Sequence, residues 1–469
     1  MKFKHSDIDI PLDDPFKNCR LNRKEDADIL SQIVQKYAEG FVLSINGEWG
    51  TGKSTFVKMW KADLELQGIK SIYFNAWEND FISDPMVALL GELHKITTST
   101  TQDLFSTILQ TGSLIATKAI PSLLKCATKQ LLGEDLAEIA KEISAAGSEV
   151  FRKEVLEYDQ KQEKLISFRK ILSDFIQKSN LDHPLIFIVD ELDRCRPDYA
   201  VEVLERIKHF FSIKGIVFIL SIDKEQLCNS IRGHYGSDRI NAEEYLRRFI
   251  DVEYQLPQPD INSYCKYLYE YFGYKDFFEN KERSRYAVFK NEKDNFLKTA
   301  IEIVTAQNYS LRQIEKLFVH FRLALCSCPN NYYVFPALTF MLICIRTISP
   351  KNFREITKQQ LSLNELAQLI SDIFPCHIFN DSSSLYCSTA LLGLGELFYC
   401  YAIQSDKTPH PIQLFAIDEK TNKLKLNFTI EYANNDKLLT TISHCYEIYS
   451  DAGWDHIIRS IDLLNPIVE

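Results

Sequence analysis

Eight residues, Gly47-Glu-Trp-Gly-Thr-Gly-Lys53-Ser54, constrain what this chain can fold into more than any other stretch. They satisfy the pattern GxxxxGK[ST] in a context that gives it physical meaning. The apolar run Phe41-Val-Leu-Ser-Ile-Asn46 precedes them, and from Lys53 to Gln67 the residues Phe56, Met59, Trp60 and Leu64 recur at helical spacing. Strand, glycine turn and helix therefore follow one another. Gly47, Gly50 and Gly52 let the backbone curl, so that Glu48, Trp49, Thr51 and the first helical turn through Thr55 direct their amides at one centre. That centre suits an anion. Lys53 is expected to reach the β and γ phosphates of a nucleotide, and the Ser54 hydroxyl to ligate Mg2+. A ligand-free glycine turn is the competing reading, and the flanking strand and helix disfavour it.

The remaining strands set the fold class. Ser71–Trp77, Leu185–Asp190 and Ile216–Ile222 are apolar runs, Asp251–Leu256 reads as a fifth strand, and helical patterns alternate with them. One such helix follows Pro197, with Asp198 as its expected cap and a stripe of Ala200, Val203, Leu204, Ile207 and Phe211. This rhythm predicts an α/β fold with a parallel sheet. Residues 81–184 interrupt it as a helical insertion, and beyond Pro257 the pattern turns mainly helical. The expected organisation is a nucleotide-binding core over 1–256, a helical lid-like region over 257–330 and a mainly helical C-terminal domain over 331–469. Strand character at Lys423–Phe428 and Thr429–Tyr432 suggests a small β element within the last.

Leu185-Ile-Phe-Ile-Val-Asp190-Glu191 supplies the second half of the site. A buried strand delivers Asp190 at its carboxyl end, where parallel sheets bind ligands, so Asp190 is the expected second holder of Mg2+. Glu191 is then placed to orient and deprotonate an attacking water, which predicts hydrolysis as well as binding.

Together with Phe74-Asn-Ala-Trp77 and Asp190-Glu-Leu-Asp-Arg-Cys195-Arg-Pro197, these motifs resemble those of the KAP family of P-loop NTPases. Glu205–His209, Ser221-Ile-Asp223 and Glu244-Tyr-Leu-Arg-Arg248 extend the resemblance, which spans roughly residues 10 to 325. It implies a P-loop NTPase of the additional-strand, catalytic-glutamate type, with strand order 5-1-4-3-2. It also implies hydrolysis of ATP, favoured over GTP by family likeness alone. By the same likeness Asp223 and Ser221 occupy a sensor position, and Arg247 or Arg248 the place from which an arginine finger reaches a neighbouring subunit. Arg312, in Ser310-Leu-Arg-Gln-Ile-Glu315, resembles a lid arginine that senses nucleotide. The segment from Pro11 to Arg23 resembles the part that covers the base, and Asp193 and Arg194 resemble local supports that position Glu191 or couple it to a partner. Bland alternatives stand beside these: a strand-end turn acid for Asp223 and surface arginines for the rest.

Composition narrows the setting. With 54 basic against 64 acidic residues the formal charge is −10, so no global positive field collects nucleic acid or an anionic membrane. Nucleic acid is not indicated as a partner. Twelve cysteines show no CxxC pair, and the start of the sequence lacks a signal-peptide pattern, so a reducing cytoplasm is expected. Cys326, Cys328 and the pair Cys376-His377 have no second pair at ligand spacing, so a metal site is not expected there. The Phe, Tyr and Cys content from Tyr332 to Tyr449 reads as filling for a helical core.

Some relatives of the family carry membrane hairpins in the insertion. Here Leu104–Leu124 contains Gln110, Thr111, Lys118 and Pro121, which argues against a span. Its stripe of Phe105, Ile108, Leu109, Ile115, Ala119 and Leu123 favours packing on protein and leaves peripheral membrane contact open. Glu134–Ile176 reads as an exposed helical arm. The leading functional expectation is an ATPase switch or assembly subunit, as a homo-oligomer or with a separately encoded effector protein. The resemblance extends to soluble bacterial members in phage exclusion and antiviral systems, which points to anti-phage defence. The alternatives are a remodelling ATPase stimulated by nucleic acid and a nucleotide-binding scaffold without turnover.

Overall fold

The computed structural model describes residues 8–37, 40–82, 84–116, 163–179, 181–211, 213–380, 388–405, 411–418, 422–449 and 453–464. They fall into two compact units, one over Ile8–Pro257 and one within Gln258–Glu469.

The first unit is built on five parallel strands: β1 (Val42–Asn46), β2 (Ser71–Asn75), β3 (Leu185–Asp190), β4 (Ile216–Ile222) and β5 (Val252–Gln255). Their order is β2-β3-β4-β1-β5, the expected 5-1-4-3-2 read from the other edge. Alternate residues of β3 point to opposite faces, and both faces are covered. Ile186 and Ile188 pack with Leu43, Ile45, Val217 and Ile219 against α1 (Lys24–Lys36) and α2 (Lys53–Leu66), whose Leu30, Phe56 and Trp60 are buried. Leu185, Phe187 and Val189 face the other layer. That layer comprises α3 (Pro85–His94), α4 (Gln102–Ala116), α5 (163–178), α6 (Pro197–Arg206), α7 (Lys224–Tyr235) and α8 (Ala242–Leu246). Burial on both faces explains why β3 and β4 are apolar apart from Asp190 and Ser221 near their carboxyl ends, while the more exposed edge strand β5 is not.

Three local readings change. The second strand ends at Asn75, and Trp77–Asn79 form a 3-10 turn. Asp198 does not cap α6: Arg196 holds the cap position, Pro197 opens the helix, and Asp198 sits in its first turn. Proline's fixed φ suits that first position, which moves the cap back by two residues. α6 also ends at Arg206, and Ile207–Phe211 continue it as a π-helical turn.

In the insertion, Phe105 and Ile108 of α4 enter the core beside Phe168, Leu172 and Phe175 of α5, whereas Leu109 is exposed. This part of the stripe packs on protein. Ala119, Leu123 and most of the expected arm at Glu134–Ile176 lie outside the described residues; 163–178 is helical. Among the described residues no helix is long and apolar enough to cross a membrane.

The second unit is helical around an aromatic core. Phe296 stacks on Phe321 at 4.3 Å between centroids, with Tyr274, Phe318 and Phe340 around them. The helices Pro336–Ile348 and Thr389–Ser405 are buried almost throughout. Arg283 is wholly buried, gives two 2.6 Å hydrogen bonds to Glu292 and lies between Phe277 and Phe289. The expected β element exists as an antiparallel pair, β6 (Phe415–Ile417) with β7 (Leu424–Leu426). Thr429–Tyr432 is not part of it.

Candidate nucleotide-hydrolysis site

The sheet brings the carboxyl ends of β1, β3 and β4 side by side, and the sequence places the loop Gly47–Gly52 directly after β1. Gly50 and Gly52 take φ of 84° and 86°, a left-handed region that a Cβ would strain, and Gly52 is the N-cap of α2. Lys53 is therefore the first residue of α2, with Ser54 and Thr55 half-buried in the same turn. The α2 N-terminus and the loop amides face the mouth of the site, where a phosphate is favoured.

The loop is tied down from three sides. Thr51 Oγ1 donates to the Glu48 carbonyl at 2.8 Å, and the Lys53 ammonium donates to the carbonyls of Gly47 and Glu48 at 2.5 and 3.0 Å. Asp223, at the end of β4, accepts from the Trp49 backbone N–H at 3.2 Å through Oδ2. Its Oδ1 accepts from Gln226 N at 3.3 Å, which caps α7. The Trp49 indole N–H donates to Asp193. Burial pulls the Lys53 ammonium below its ordinary range, against the attraction of Asp193, Asp223 and Asp190. Burial likewise raises Asp193, against its bond from Trp49 and the charge of Lys53.

Asp190 is buried at the end of β3, and its Oδ2 accepts from the Tyr73 hydroxyl at 2.8 Å. Burial and the adjacent Asp190 raise the Tyr73 hydroxyl far above its usual range, so it remains a donor. Asp190 Oδ1 accepts from the Glu191 N–H at 3.0 Å, leaving lone pairs on both oxygens. Glu191 itself is left-handed, with φ 60°, which turns its side chain out of the strand direction. Asn75 Nδ2 donates to Glu191 Oε2 at 3.3 Å, and the Arg194 guanidinium pairs with Oε1 at 3.1 Å. The oxygen-only set of Ser54 and Asp190 fits a hard cation such as Mg2+, which takes one or two protein oxygens and completes its shell with water and phosphate. Ser221 Oγ, buried and without a hydrogen-bond partner among the described residues, lies on β4 in register with Asp190.

The structure thus brings Gly47–Ser54, Asp190, Glu191 and Asp223 together at one end of the sheet. It does not bring in Arg247 or Arg248. Arg247, 71% exposed, pairs with Glu244 at 3.0 Å just after α8, and Arg248 is exposed beside it. Neither bonds to the phosphate loop among the described residues. Arg312 is exposed in the first turn of the helix Leu311–Cys326, in the other unit. Upstream, Phe16 packs on Phe56, and Arg23 donates to the Pro257 carbonyl at 2.7 Å, which fixes the segment before α1. No group of three or more His, Cys, Asp or Glu able to hold a metal occurs among the described residues, Cys326, Cys328, Cys376 and His377 included.

Tyr73, and Asn75 as a partner of Glu191, are not assigned by motif. Their signal is topological. Asn46, Asn75, Asp190 and Ser221 each stand at or beside the carboxyl end of an apolar run, and the parallel register pairs Asn75 and Ser221 with Asp190.

Three solved structures align with the chain. The Aeropyrum pernix ORC2 protein in ADPNP-ADP complexes is 12% identical, covers 91% of this chain and 94% of its own, and has a TM-score of 0.29. The Drosophila ORC bound to DNA gives 11%, 94%, 98% and 0.35. A DNA replication initiation factor gives 10%, 94%, 94% and 0.30. At such identities and TM-scores these likenesses decide nothing about ligand or partner. No curated protein sequence matches the chain. The KAP family P-loop domain, in contrast, matches residues 23–325, more than half of the sequence and the whole of the site just described. The chain belongs to the KAP family of P-loop NTPases.

Proposed function

We propose that the protein hydrolyses ATP with Mg2+ and uses the cycle as a nucleotide-dependent switch or assembly subunit. The observation that carries this reading is the junction of the Gly47–Ser54 loop with Asp190 and Glu191 at the carboxyl end of the sheet. Lys53 and the loop amides bind the phosphates through Gly47, Glu48, Trp49, Gly50, Thr51, Gly52, Ser54 and Thr55. Ser54 and Asp190 hold the metal ion, which when bound neutralises charge on the β and γ phosphate oxygens. Glu191 takes the proton of the attacking water, and Asp223 couples the end of β4 to the loop through the Trp49 amide. Arg247 or Arg248, exposed before β5, is available to a neighbouring subunit, and Arg312 serves as a nucleotide-sensing residue of the second unit.

The described residues supply no second hydrolytic constellation, so the output is assigned to a separate effector protein, and the biological setting to anti-phage defence in the cytoplasm. Nucleotide binding and phosphate release by the purified chain, beside Lys53→Ala, test the chemistry. Binding and turnover that both vanish in the variant support it, and turnover that persists there contradicts it.

A further inference from the structure

Arg194 closes the short turn Leu192–Arg194 and returns its guanidinium to Glu191 Oε1 at 3.1 Å. Asn75 holds the other carboxylate oxygen, so both oxygens of one side chain are fixed from two directions. Arg194 is in turn flanked by two indoles, its guanidinium carbon 6.0 Å from the Trp49 ring centre and 5.6 Å from that of Trp77. The chain has four tryptophans. Trp60 and Trp454 are buried, whereas the two beside Arg194 are 45% and 50% exposed. Half-exposed indoles forgo apolar burial, and what this placement obtains is a cation held against aromatic faces.

Trp49 also belongs to the phosphate loop, where Asp223 holds its amide and Asp193 its indole. A displacement of the loop therefore moves one wall of the Arg194 site, and through Arg194 the carboxylate of Glu191.

We infer that Arg194 is a positioning residue for Glu191, held by Trp49 and Trp77, and that it links the phosphate loop to the general base. The inference rests on the assignment of Glu191 as that base. A carboxylate activates water only while an oxygen stays within hydrogen-bond reach of it, so loss of one of two restraints lowers the productive fraction. Because Arg194 acts on the enzyme side, its removal affects kcat and leaves nucleotide affinity nearly unchanged.

Steady-state ATP hydrolysis by the full chain tests this, with Arg194→Ala, Arg194→Lys, Trp77→Leu and Glu191→Gln compared. Arg194→Ala is expected to lower kcat by about 10-fold or more with KM within about threefold. Arg194→Lys falls between it and the wild type, since it keeps charge but not the planar face. Trp77→Leu lowers kcat in the same direction and adds little on top of Arg194→Ala. Addition of a non-hydrolysable ATP analogue shifts wild-type tryptophan emission, and Arg194→Ala reduces that shift. Wild-type kcat in folded Arg194→Ala, or a KM rise with kcat intact, overturns the inference. If Arg194→Ala does not fold, full activity in both Arg194→Lys and Trp77→Leu overturns it instead. Wild-type turnover in Glu191→Gln overturns the assignment of the base itself, a result distinct from an inactive Glu191→Gln beside a fully active Arg194→Ala.

Discussion

At the residue scale, the groups that the sequence reveals are those whose chemistry is fixed by spacing along the chain. Gly50, Gly52, Lys53 and Ser54 define one another within a single turn, and Asp190-Glu191 declare themselves by closing a wholly apolar strand. Tyr73 and Asn75 do not, because their meaning depends on the β2–β3 register, which sets Asn75 against Asp190. Glu396 was equally illegible, a lone acid in an apolar helical stretch. It is buried, accepts from the Leu338 N–H at 3.2 Å and the Tyr449 hydroxyl at 3.4 Å, and burial raises it to about 8 against those bonds. An unfolded glutamate titrates near 4.5. Between these values the folded chain holds a proton that the unfolded chain has lost, so stability falls as pH rises through that window and levels above it. One such group contributes at most about 1.4 kcal/mol per pH unit. Glu396→Gln keeps an acceptor for the Leu338 N–H and turns an amide N–H toward the Tyr449 hydroxyl oxygen, and it should flatten the slope in denaturant titrations between pH 5 and 8, measured at roughly one-unit steps. Glu292, which burial raises to about 7 against the pull of Arg283, adds to the slope that remains, and His320 and His456, which burial lowers, oppose it. An unchanged slope in Glu396→Gln would show that the carboxyl is ionised in the fold.

At the scale of elements, hydrophobic pattern located β1 to β4, because strands buried on two faces are apolar but for a few residues, whereas the exposed edge strand β5 rests on Val252 and Tyr254 and its place after the helices. Boundaries were less legible. Pro197 rather than Asp198 decides where α6 begins, and Trp77 belongs to a turn because β2 stops beside the end of β3. In the second unit, the strand signal at Lys423–Phe428 needed a partner, Phe415–Ile417, that the sequence did not single out. The entry to β1 depends on Gly40, whose φ is 83° and whose added Cβ would stand 2.3 Å from the Ile213 carbonyl oxygen. Gly40→Ala should therefore cost about 1–3 kcal/mol through backbone strain and the clash, read as a lowered Tm with the cooperative transition preserved. An unchanged Tm would mean that the turn into β1 relaxes freely.

At the scale of the whole molecule, the sequence reads as a nucleotide-binding core over 1–256, a helical lid-like region over 257–330 and a mainly helical region over 331–469 in which no chemical motif stands out. The order β2-β3-β4-β1-β5 came from family resemblance; strand pattern alone gave a parallel sheet. Packing of the second unit follows from its Phe, Tyr and Cys content, but that content names no partner. Assembly is where a role for Arg247 or Arg248 would arise, since both are exposed and neither bonds to its own loop among the described residues. If a neighbouring subunit uses one of them, specific turnover should rise with protein concentration. One of Arg247→Ala or Arg248→Ala should then lose that rise, with a fall of 10-fold or more, while still binding ATP. Turnover per chain that is independent of concentration, with both variants active, would assign them to the surface.

The central claim is that Glu191 activates water at a site built by Gly47–Ser54 and Asp190. Phosphate release and ATP affinity measured together on wild type and Glu191→Gln test it most directly. The account predicts that the variant binds ATP with wild-type affinity and loses about 100-fold or more of the release rate. Release at the wild-type rate in Glu191→Gln would contradict it and remove the general base from this position.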